Sequence, residues 1–259
     1  MRDLTISLLQ SDLHWEQPER NRQQFTELLR GLAGQTDLAV LPEMFTTGFS
    51  MNARKIAEDS AGPTEEWMLQ QARLHKLAIT GSLAVRDAGS IYNRLLFVTP
   101  GGEVSRYDKR HLFRVSEEQR RYAAGKQRLV VNWRGWRLCP LICYDLRFPV
   151  WSRDRGDYDA LLYVANWPAK RAMHWRQLLL ARAIENQSYC IGLNRIGRDG
   201  NNINYQGGSL VAAADGELLL DCKDGAGVFT CTLSASARET YRRKFPIHMD
   251  GDDFELLGG

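Results

Sequence analysis

Apolar and polar positions follow one another along the chain in blocks that predict strands separated by amphipathic helices. Four apolar runs are bounded by polar turns and are too short for helices, which indicates buried strands. These runs occupy residues 4–10, 37–41, 77–82 and 136–142. Between the first two, apolar side chains recur on one face of a helix that is predicted over residues 18–32 and that Pro18 is suited to open. Such alternation of strands and helices is typical of a layered α/β fold.

The remaining pattern extends this α/β order toward the end of the chain. The predicted elements are helices over 63–75 and 171–187, a hairpin that joins 94–99 to 103–107, and strand-like segments over 189–233. No Ser/Pro-rich linker, low-complexity tract or fixed repeat interrupts the sequence, so we expect one domain over residues 1–259. The tail, residues 242–259, leaves two alternatives open: it packs across a neighbouring subunit, or its Gly258-Gly259 end frays.

The composition is that of a soluble globular protein, with 44% apolar and 25% charged residues among 259. The N-terminus enters a strand pattern without the apolar core of a signal peptide, and no apolar stretch is long enough to cross a membrane. The five cysteines are odd in number and form no C-x-x-C pair, which argues against a disulfide framework or a zinc site. We therefore expect a cytoplasmic protein with reduced thiols and no membrane partner.

The charge pattern gives little support to nucleic-acid binding. Residues 106–128 hold eight basic and three acidic side chains, but the net charge of the whole chain is only +3 and basic residues are spread broadly. The five histidines lack the spacing of a metal-binding motif such as H-E-x-x-H. We expect no nucleic-acid partner and no metal ion, and the local positive charge is suited to attract an anionic substrate toward Lys109.

Cys143 is the first candidate for catalysis. The apolar run over 136–142 stops abruptly at this cysteine, and ligand sites in layered α/β proteins lie just beyond the carboxyl ends of strands. A thiol delivered to such a polar turn is placed to act as a nucleophile. The alternative is that Cys143 is a small buried hydrophobic residue, as most free cysteines are.

Two further polar residues follow predicted strands. Glu43 comes directly after the run 37–41 and is flanked by apolar and aromatic residues, so partial loss of water suits it to general-base chemistry. Lys109 follows the hairpin, where its positive charge can stabilise a developing oxyanion. For each residue, a solvated position in a loop is the alternative.

Three segments occur in an order and spacing that resemble the nitrilase superfamily of carbon–nitrogen hydrolases. They are LPE at 41–43, YDKRHLF at 107–113 and ICYDLRFP at 142–149, and the resemblance extends from about residue 4 to residue 233. It implies that Glu43 is the general base, Lys109 the oxyanion stabiliser and Cys143 the nucleophile. It also implies a second glutamate near the lysine, at Glu118, for which the adjacent Glu117 is the alternative. The backbone N–H of Tyr144 is expected to be a second oxyanion donor.

The residues after the thiol indicate a branch of that superfamily. Members that hydrolyse nitriles typically have Trp-Glu there, whereas this chain has Tyr144-Asp145, which favours the amidases. Four segments look like the bacterial ω-amidases, which hydrolyse the terminal amide of 2-oxoglutaramate or 2-oxosuccinamate. These segments are YVANWP at 163–168, ARAIENQ at 181–187, NRIGRDGN at 194–201 and KFP at 244–246.

The same resemblance implies a fold, an assembly and a mechanism. The fold is a four-layer α-β-β-α sandwich, and such proteins assemble as dimers or higher homo-oligomers through helix faces. The reaction passes through a thioester on Cys143 and needs only the amide substrate and water, so we expect no metal and no organic cofactor. Another aliphatic amidase, an N-carbamoyl amidohydrolase and a non-catalytic binding module on the same fold are the alternatives.

The substrate contacts are the least determined part of the site. The expected substrate-binding residues, named from their nearness to the motifs, are Phe113, Asn166, Trp167 and Arg195. Arg147 and Arg171 are further candidates for binding a substrate carboxylate, because a guanidinium matches a carboxylate geometrically. For each arginine a structural salt bridge is the alternative, and for each aromatic residue a place in the core.

Overall fold

The computed structural model describes residues 2–256. Strands and helices are numbered separately in chain order. The strands are β1 Leu4–Gln10, β2 Leu38–Val40, β3 Glu58–Asp59, β4 Ala78–Asp87, β5 Ser90–Val98, β6 Val104–Asp108, β7 Val131–Trp133, β8 Trp136–Ile142, β9 Ala160–Ala165, β10 Tyr189–Asn194, β11 Ile196–Arg198, β12 Asn204–Gln206, β13 Leu210–Ala212, β14 Leu218–Asp221 and β15 Gly227–Leu233. The helices are α1 Pro18–Arg30, α2 Ala53–Ile56, α3 Pro63–His75, α4 Pro149–Ser152, α5 Ala172–Asn186 and α6 Ala235–Lys244.

Most predicted elements are confirmed, and three match residue for residue: β1, β8 and α3. The strand predicted to end at residue 82 continues to Asp87, because β4 pairs with β5 in antiparallel register as far as Asp87 opposite Ser90. The two residues between them, Ala88 and Gly89, both have positive φ, as a tight two-residue hairpin turn requires. Helix α6 was not predicted, because only Ala235 and Arg238 of its side chains are buried and no apolar stripe marks it.

Two large sheets form the centre of the molecule. The first has the order β15-β1-β2-β4-β5-β6, with β3 paired to β4, and the second has the order β14-β13-β10-β9-β8-β7. Strands β1, β2 and β4 run parallel to one another, as do β8, β9 and β10. The hairpin of β11 and β12 forms a small separate sheet.

The apolar pattern explains why these sheets stack with helices outside them. Leu38 and Val40 of β2 contribute to the core between the two sheets, whereas Ala39 contributes to the core between the first sheet and helices α1 and α3. Both faces of this strand are therefore buried, which accounts for its continuous apolar run. Trp175 and Leu179 of α5 pack on the other sheet. The layers are thus helix, sheet, sheet and helix, and the predicted α-β-β-α sandwich is confirmed.

The candidate catalytic residues lie where strands end. Glu43 follows β2, Lys109 follows β6, and Cys143 follows β8 without an intervening residue. Asn166 follows β9 in the same way. Because parallel strands end at the same edge of a sheet, this topology gathers side chains that lie up to 123 residues apart in the chain.

The tail lies against its own chain as far as the structure describes it. The Gln187 side chain donates a hydrogen bond to the carbonyl oxygen of Phe245 at 2.6 Å, and the guanidinium of Arg155 lies 4.5 Å from the ring centre of Phe254. Residues 257–259, which include the Gly258-Gly259 end, lie outside the described residues. Contact of the tail with a neighbouring subunit therefore stays a prediction.

Candidate active site

A buried lysine joins the two glutamates predicted for the site. The ammonium group of Lys109 donates to Glu43 Oε1 at 2.9 Å and to Glu118 Oε1 and Oε2 at 3.1 and 3.0 Å. All three side chains are 0% exposed. The adjacent Glu117 is exposed and pairs with Arg120, so Glu118 is the glutamate that meets the lysine. This arrangement surrounds one positive charge with two carboxylates in a water-free place.

Burial and charge act against each other on Lys109. Burial alone would lower the pKa of this lysine, but the carboxylates of Glu118 and Glu43 outweigh it and raise the pKa above its ordinary value. The pKa of Glu118 is also raised, mainly by burial and further by the charge of Glu43, against the opposing effect of Lys109. The two carboxylates therefore favour the charged form of the lysine.

Cys143 as a whole residue is partly exposed, lines the cavity described below and begins a short 3₁₀ helix, Cys143–Arg147. Its sulfur lies 4.0 Å from the carbonyl oxygen of Asn166. Burial, followed by the negative charge of Glu43, raises the pKa of the thiol well above its ordinary value, and Lys109 offsets only part of that increase. The resting thiol is therefore protonated, and a base must remove its proton as it reacts.

Three turns of the site hold non-glycine residues in the left-handed region of the backbone. Cys143 has a φ of +44°, Met44 beside Glu43 has +48°, and Glu117 beside Glu118 has +58°. Each such conformation costs about 1–3 kcal/mol and persists only where the surroundings fix it. The turns present Glu43, Glu118 and the thiol toward one another, and no glycine in the sequence marks them.

Asp145 fixes the turn that carries the thiol. Its buried Oδ1 accepts from the backbone N–H and the ring nitrogen Nδ1 of His111, at 3.0 and 2.8 Å. Its Oδ2 accepts from the Tyr107 hydroxyl at 2.7 Å and from the backbone N–H of Ile142 at 3.0 Å. One carboxylate thus ties the strand end before Cys143 to the segment that carries Lys109.

Two asparagines bind the carboxylate of Glu43. Asn93 Nδ2 donates to Oε1 at 2.8 Å, and the backbone N–H of Asn166 donates to Oε2 at 2.8 Å. The side-chain amide of Asn166 also donates to the carbonyl oxygen of Glu43 at 2.6 Å. Every one of these partners is a donor, which matches the acceptor oxygens of a carboxylate side chain and its own carbonyl group.

A cavity of about 220 Å³ opens above the thiol, a volume that suits a small molecule. Its wall is mainly aromatic and basic, and the one acidic residue in it among the described residues is Asp199. The aromatic lining residues are Phe49, Phe113, Tyr144, Trp167 and Tyr205, and the basic ones are Lys109, Arg147, Lys170 and Arg171. The guanidinium of Arg147 lies over the ring of Trp167, and that of Arg171 lies over the ring of Phe113. Among residues 2–256, no carboxylate forms an ion pair with either arginine.

Three of the four substrate-binding residues expected from the sequence line the cavity, and one does not. Phe113, Asn166 and Trp167 line the cavity. Arg195 does not line it, because its fully buried guanidinium lies behind Tyr205, 4.7 Å from that ring, and donates to Asp12 at 2.6 Å. The position of Arg195 supports the cavity wall instead of offering its charge to a ligand.

Three residues of the site were missed in the sequence. Asn93 directly precedes the strand predicted over 94–99 and lies within the observed β5, Asp145 was given no role in the site, and Asn194 ends β10. Asn194 Oδ1 accepts from the backbone N–H of Trp167 at 2.7 Å, and its Nδ2 donates to the Trp167 carbonyl at 3.0 Å. A polar side chain within or directly after an apolar run is the available signal for all three.

The described part of the chain, residues 2–256, contains neither a metal-ligand cluster nor a membrane-spanning helix. Within that range, no group of three His, Cys, Asp or Glu side chains is arranged to hold a metal ion. No helix in the same range combines the length and the apolar character that crossing a bilayer requires.

Comparison with known sequences identifies the family. A family model described as carbon-nitrogen hydrolase matches residues 5–243. The chain is 48% identical over 259 residues to the omega-amidase YafV of Escherichia coli K12, a match that covers 99% of this chain and 100% of the relative. It is 31% identical over 251 residues to the 2-oxoglutaramate amidase of Bacillus subtilis, with 95% of this chain and 96% of the relative covered.

Solved structures give the same result. A CN-hydrolase superfamily protein of Xanthomonas campestris superposes with a TM-score of 0.98 at 48% identity, covering 99% of this chain and 100% of that one. Nit3 of Saccharomyces cerevisiae, at 22% identity, shares the fold with a TM-score of 0.86 over 95% of both chains. Because the family model spans most of the sequence and relatives match over nearly their full length, the chain belongs to the carbon–nitrogen hydrolase family.

Proposed function

We propose that this carbon–nitrogen hydrolase is an ω-amidase, a cysteine-dependent enzyme that releases ammonia from the terminal amide of a small ω-amidodicarboxylate. The observation that carries the proposal is Cys143, a partly exposed residue at a cationic cavity and beside the buried set Glu43, Lys109 and Glu118. The 48% identity to an omega-amidase supports the substrate class. Within that class, 2-oxoglutaramate and 2-oxosuccinamate are the substrates that we propose.

In the first step, Glu43 removes the thiol proton while the sulfur of Cys143 attacks the amide carbon. The raised pKa of the thiol favours this simultaneous transfer over a thiolate that exists before the substrate arrives. As the S–C bond forms, the π electrons of the carbonyl move to its oxygen and create a tetrahedral oxyanion. Glu43 then holds the proton that the leaving group needs.

Two donors are proposed to stabilise that oxyanion. Lys109 lines the cavity, and its two carboxylate partners favour and orient its ammonium form. The backbone N–H of Tyr144 lies in the first turn of a 3₁₀ helix, where N–H groups lack partners within the helix. Donors that are fixed in place before the reaction commonly contribute about 3–4 kcal/mol each to lowering the barrier of acyl transfer.

Two tetrahedral oxyanions form and collapse in turn during the cycle. First the C–N bond breaks, Glu43 returns its proton to the departing nitrogen, and ammonia leaves a thioester on Cys143. Water then attacks the thioester while Glu43 takes one of its protons. The second oxyanion collapses with cleavage of the C–S bond, the thiol regains its proton, and the carboxylic acid is released.

The carboxylate at the far end of the substrate is proposed to bind Arg147 and Arg171. Both arginines line the cavity, and the guanidinium carbons of Arg147 and Arg171 lie 4.7 and 5.3 Å from the ring centres of Trp167 and Phe113. Burial, and then the nearby positive charge of Arg171, lowers the pKa of Arg147, so two like charges stand close together without a counter-ion. An incoming carboxylate relieves that repulsion and accepts charge-assisted hydrogen bonds.

We further propose that the chain forms a homodimer in a reducing, cytoplasmic setting. Helix α5 exposes Met173 and Ile184 at 65% and 47% of their surface, and an exposed apolar helix face of this kind supports association of two copies. All five cysteines are free thiols, which suits a compartment that keeps Cys143 reduced.

Ammonia release by the purified protein tests the proposed function. The panel contains 2-oxoglutaramate, 2-oxosuccinamate, simple aliphatic amides, nitriles and N-carbamoyl amino acids, each with wild type and Cys143→Ala. Selective release from the oxo-amides that depends on Cys143 is the expected result. Turnover of other compounds alone would contradict the proposed oxo-amide substrates. Release of carbon dioxide from an N-carbamoyl compound would identify a carbamoylase, and binding without turnover would identify a binding module.

A further inference from the structure

Asn93 occupies a place between two members of the catalytic set. Its side chain is 1% exposed and donates from Nδ2 to Glu43 Oε1 at 2.8 Å. Its own carbonyl oxygen accepts from the backbone N–H of Lys109 at 3.0 Å. A single residue of β5 therefore contacts the base through its side chain and the oxyanion stabiliser through its main chain.

The orientation of the Asn93 amide is fixed by a directional series of hydrogen bonds. The backbone N–H of Met44 donates to Ser82 Oγ at 2.9 Å, so that oxygen acts as an acceptor there. The Ser82 hydroxyl in turn donates to Asn93 Oδ1 at 2.8 Å. With its oxygen bound in this way, the amide must present its NH₂ group to Glu43.

The series begins and ends on neighbouring residues. Met44 follows Glu43 in the chain and has a φ of +48°, which turns its N–H toward β4. The backbone beside the base thus sets the orientation of the side chain that binds the base. Because all members are buried, loss of any one bond leaves a polar group without a partner.

The two carboxylate oxygens of Glu43 accept different sets of hydrogen bonds. Oε1 accepts from Asn93 Nδ2 and from Lys109 Nζ, at 2.8 and 2.9 Å, and two donors occupy the lone pairs of one carboxylate oxygen. Oε2 accepts one short bond, from the backbone N–H of Asn166 at 2.8 Å, and a long one of 3.5 Å from its side chain. Oε2 is therefore the oxygen with room for a further proton.

We propose that Asn93, oriented by Ser82, is a positioning residue that occupies Oε1 of Glu43 and leaves Oε2 to take the proton of Cys143. The inference rests on the proposed function, in which Glu43 is the base. The titratable groups that face or electrostatically influence this carboxylate are Lys109, Glu118, Cys143, Tyr122 and Tyr205. Asn93 cannot change its charge, so it supplies a donor at every pH.

Two substitutions at position 93 distinguish this role from a merely structural one, because they change the pH dependence in opposite directions. Asn93→Ala removes a donor that stabilises the carboxylate form of the base, so the ratio of variant to wild-type kcat/KM should fall as the pH falls. In Asn93→Asp the new carboxyl can donate only when it is protonated. Since Lys109 keeps the charge on Glu43, the ratio for this variant rises as the pH falls.

The experiment measures kcat/KM for 2-oxoglutaramate from pH 5.5 to 8.5 together with the rate at which iodoacetamide alkylates Cys143, followed by peptide mass spectrometry. Ser82→Ala is a third variant, and we expect it to lose activity to a smaller extent than Asn93→Ala. Thr80→Val is the matched control for Ser82→Ala, because Thr80 lies on β4 with Ser82. Thr80 is also buried, and its hydroxyl has no hydrogen-bond partner. Thermal unfolding verifies that each variant is folded.

Opposite pH trends for the two Asn93 variants, in both kcat/KM and alkylation, support the proposal. The proposal is overturned if the two Asn93 variants show the same effect at every pH, or if both behave like the wild type. If neither Asn93 variant folds, wild-type kinetics in Ser82→Ala overturn it. Alkylation requires no substrate. A wild-type protein that releases no ammonia but shows these alkylation trends in its variants therefore contradicts the proposed substrate and retains the role of Asn93.

Discussion

The ammonium of Lys109 lies 3.0 Å from Glu118 Oε2, and both side chains are completely buried. This ion pair is not a surface contact that salt or water can weaken, so its partners are held in place before a substrate arrives. Glu118 directs the lysine, and the same lysine also contacts Glu43 at 2.9 Å.

Substitution of Glu118→Gln tests whether the second carboxylate orients Lys109. We expect kcat to fall by about 10²-fold or more, because the amide cannot hold the ammonium by charge, while the remaining pair with Glu43 keeps the fold intact. Steady-state kinetics and thermal unfolding measure the two effects. Glu117→Gln is the matched control, since that neighbour is exposed. Equal activity of the two variants would remove Glu118 from the mechanism.

Substitution of Lys109→Met should abolish nearly all activity, by about 10²–10³-fold, through loss of the oxyanion donor. It also leaves two buried carboxylates facing each other without a counter-ion. The pKa of Glu118 is already raised in the intact protein and should rise further, so stability is retained below the ordinary carboxyl pKa and lost as the pH rises. Urea unfolding should therefore show a larger deficit relative to wild type at pH 8 than at pH 5. A deficit that is independent of pH would contradict this account of the buried charges.

Asp145→Asn should loosen the turn that carries the thiol. Each carboxylate oxygen of Asp145 accepts two hydrogen bonds, and an amide would turn an NH₂ group toward donors on one side. The expected loss is about 2–4 kcal/mol of unfolding free energy, together with a lower kcat. Urea unfolding and ammonia release measure these quantities. If both stay at wild-type values, Asp145 does not fix the turn.

Arg147→Ala and Arg171→Ala should raise KM for 2-oxoglutaramate by about tenfold or more, because each removes a charge-assisted hydrogen bond to the substrate carboxylate. Turnover of an uncharged aliphatic amide should change little. Arg176→Ala is the control, since Arg176 lies on α5 and pairs with Asp221 outside the cavity. Equal losses on charged and uncharged amides would show that the arginines shape the cavity without reading charge.

Alkaline conditions should destabilise the protein through the thiols of Cys139, which is buried, and Cys231, which is partly buried. Burial raises the pKa of Cys139 to about 12 and that of Cys231 to about 11. Above the ordinary thiol pKa the unfolded chain loses protons that the folded chain keeps, so the unfolding free energy falls as the pH rises.

The variant Cys139→Ala isolates one of these thiols. Its destabilisation relative to wild type should shrink by about 2 kcal/mol between pH 8 and pH 10.5, because only the wild type loses the contribution of this thiol. Urea unfolding at both pH values measures the difference. A constant difference would mean that Cys139 is not buried as a thiol.

Much of the fold, and the residues of the proposed catalytic set, were predictable from the sequence, because both depend on local signals. The apolar run that ends at Cys143 gives the strand and the turn together, and short motifs around Glu43 and Lys109 carry the resemblance. The choice between Glu117 and Glu118 was open, because neighbouring residues point in different directions and only the backbone, with φ +58° at Glu117, decides which one meets Lys109.

The supporting residues depend on distant parts of the chain. Asn93 and Glu43 are 50 residues apart, and Asp145 lies 34 to 38 residues from His111 and Tyr107. Their contacts depend on strand order and on the stacking of two sheets, which no local pattern specifies. Arg195 shows the converse, because its position next to a motif suggested substrate contact, whereas the chain directs its guanidinium behind Tyr205.

Hydroxylamine capture of the acyl-enzyme tests most directly whether the reaction passes through Cys143. Hydroxylamine competes with water for a thioester, so turnover of 2-oxoglutaramate in its presence should yield the hydroxamate as well as the acid and ammonia, and Cys143→Ala should yield none of them. Ammonia release without hydroxamate, or hydroxamate formation that persists in Cys143→Ala, would contradict the covalent mechanism.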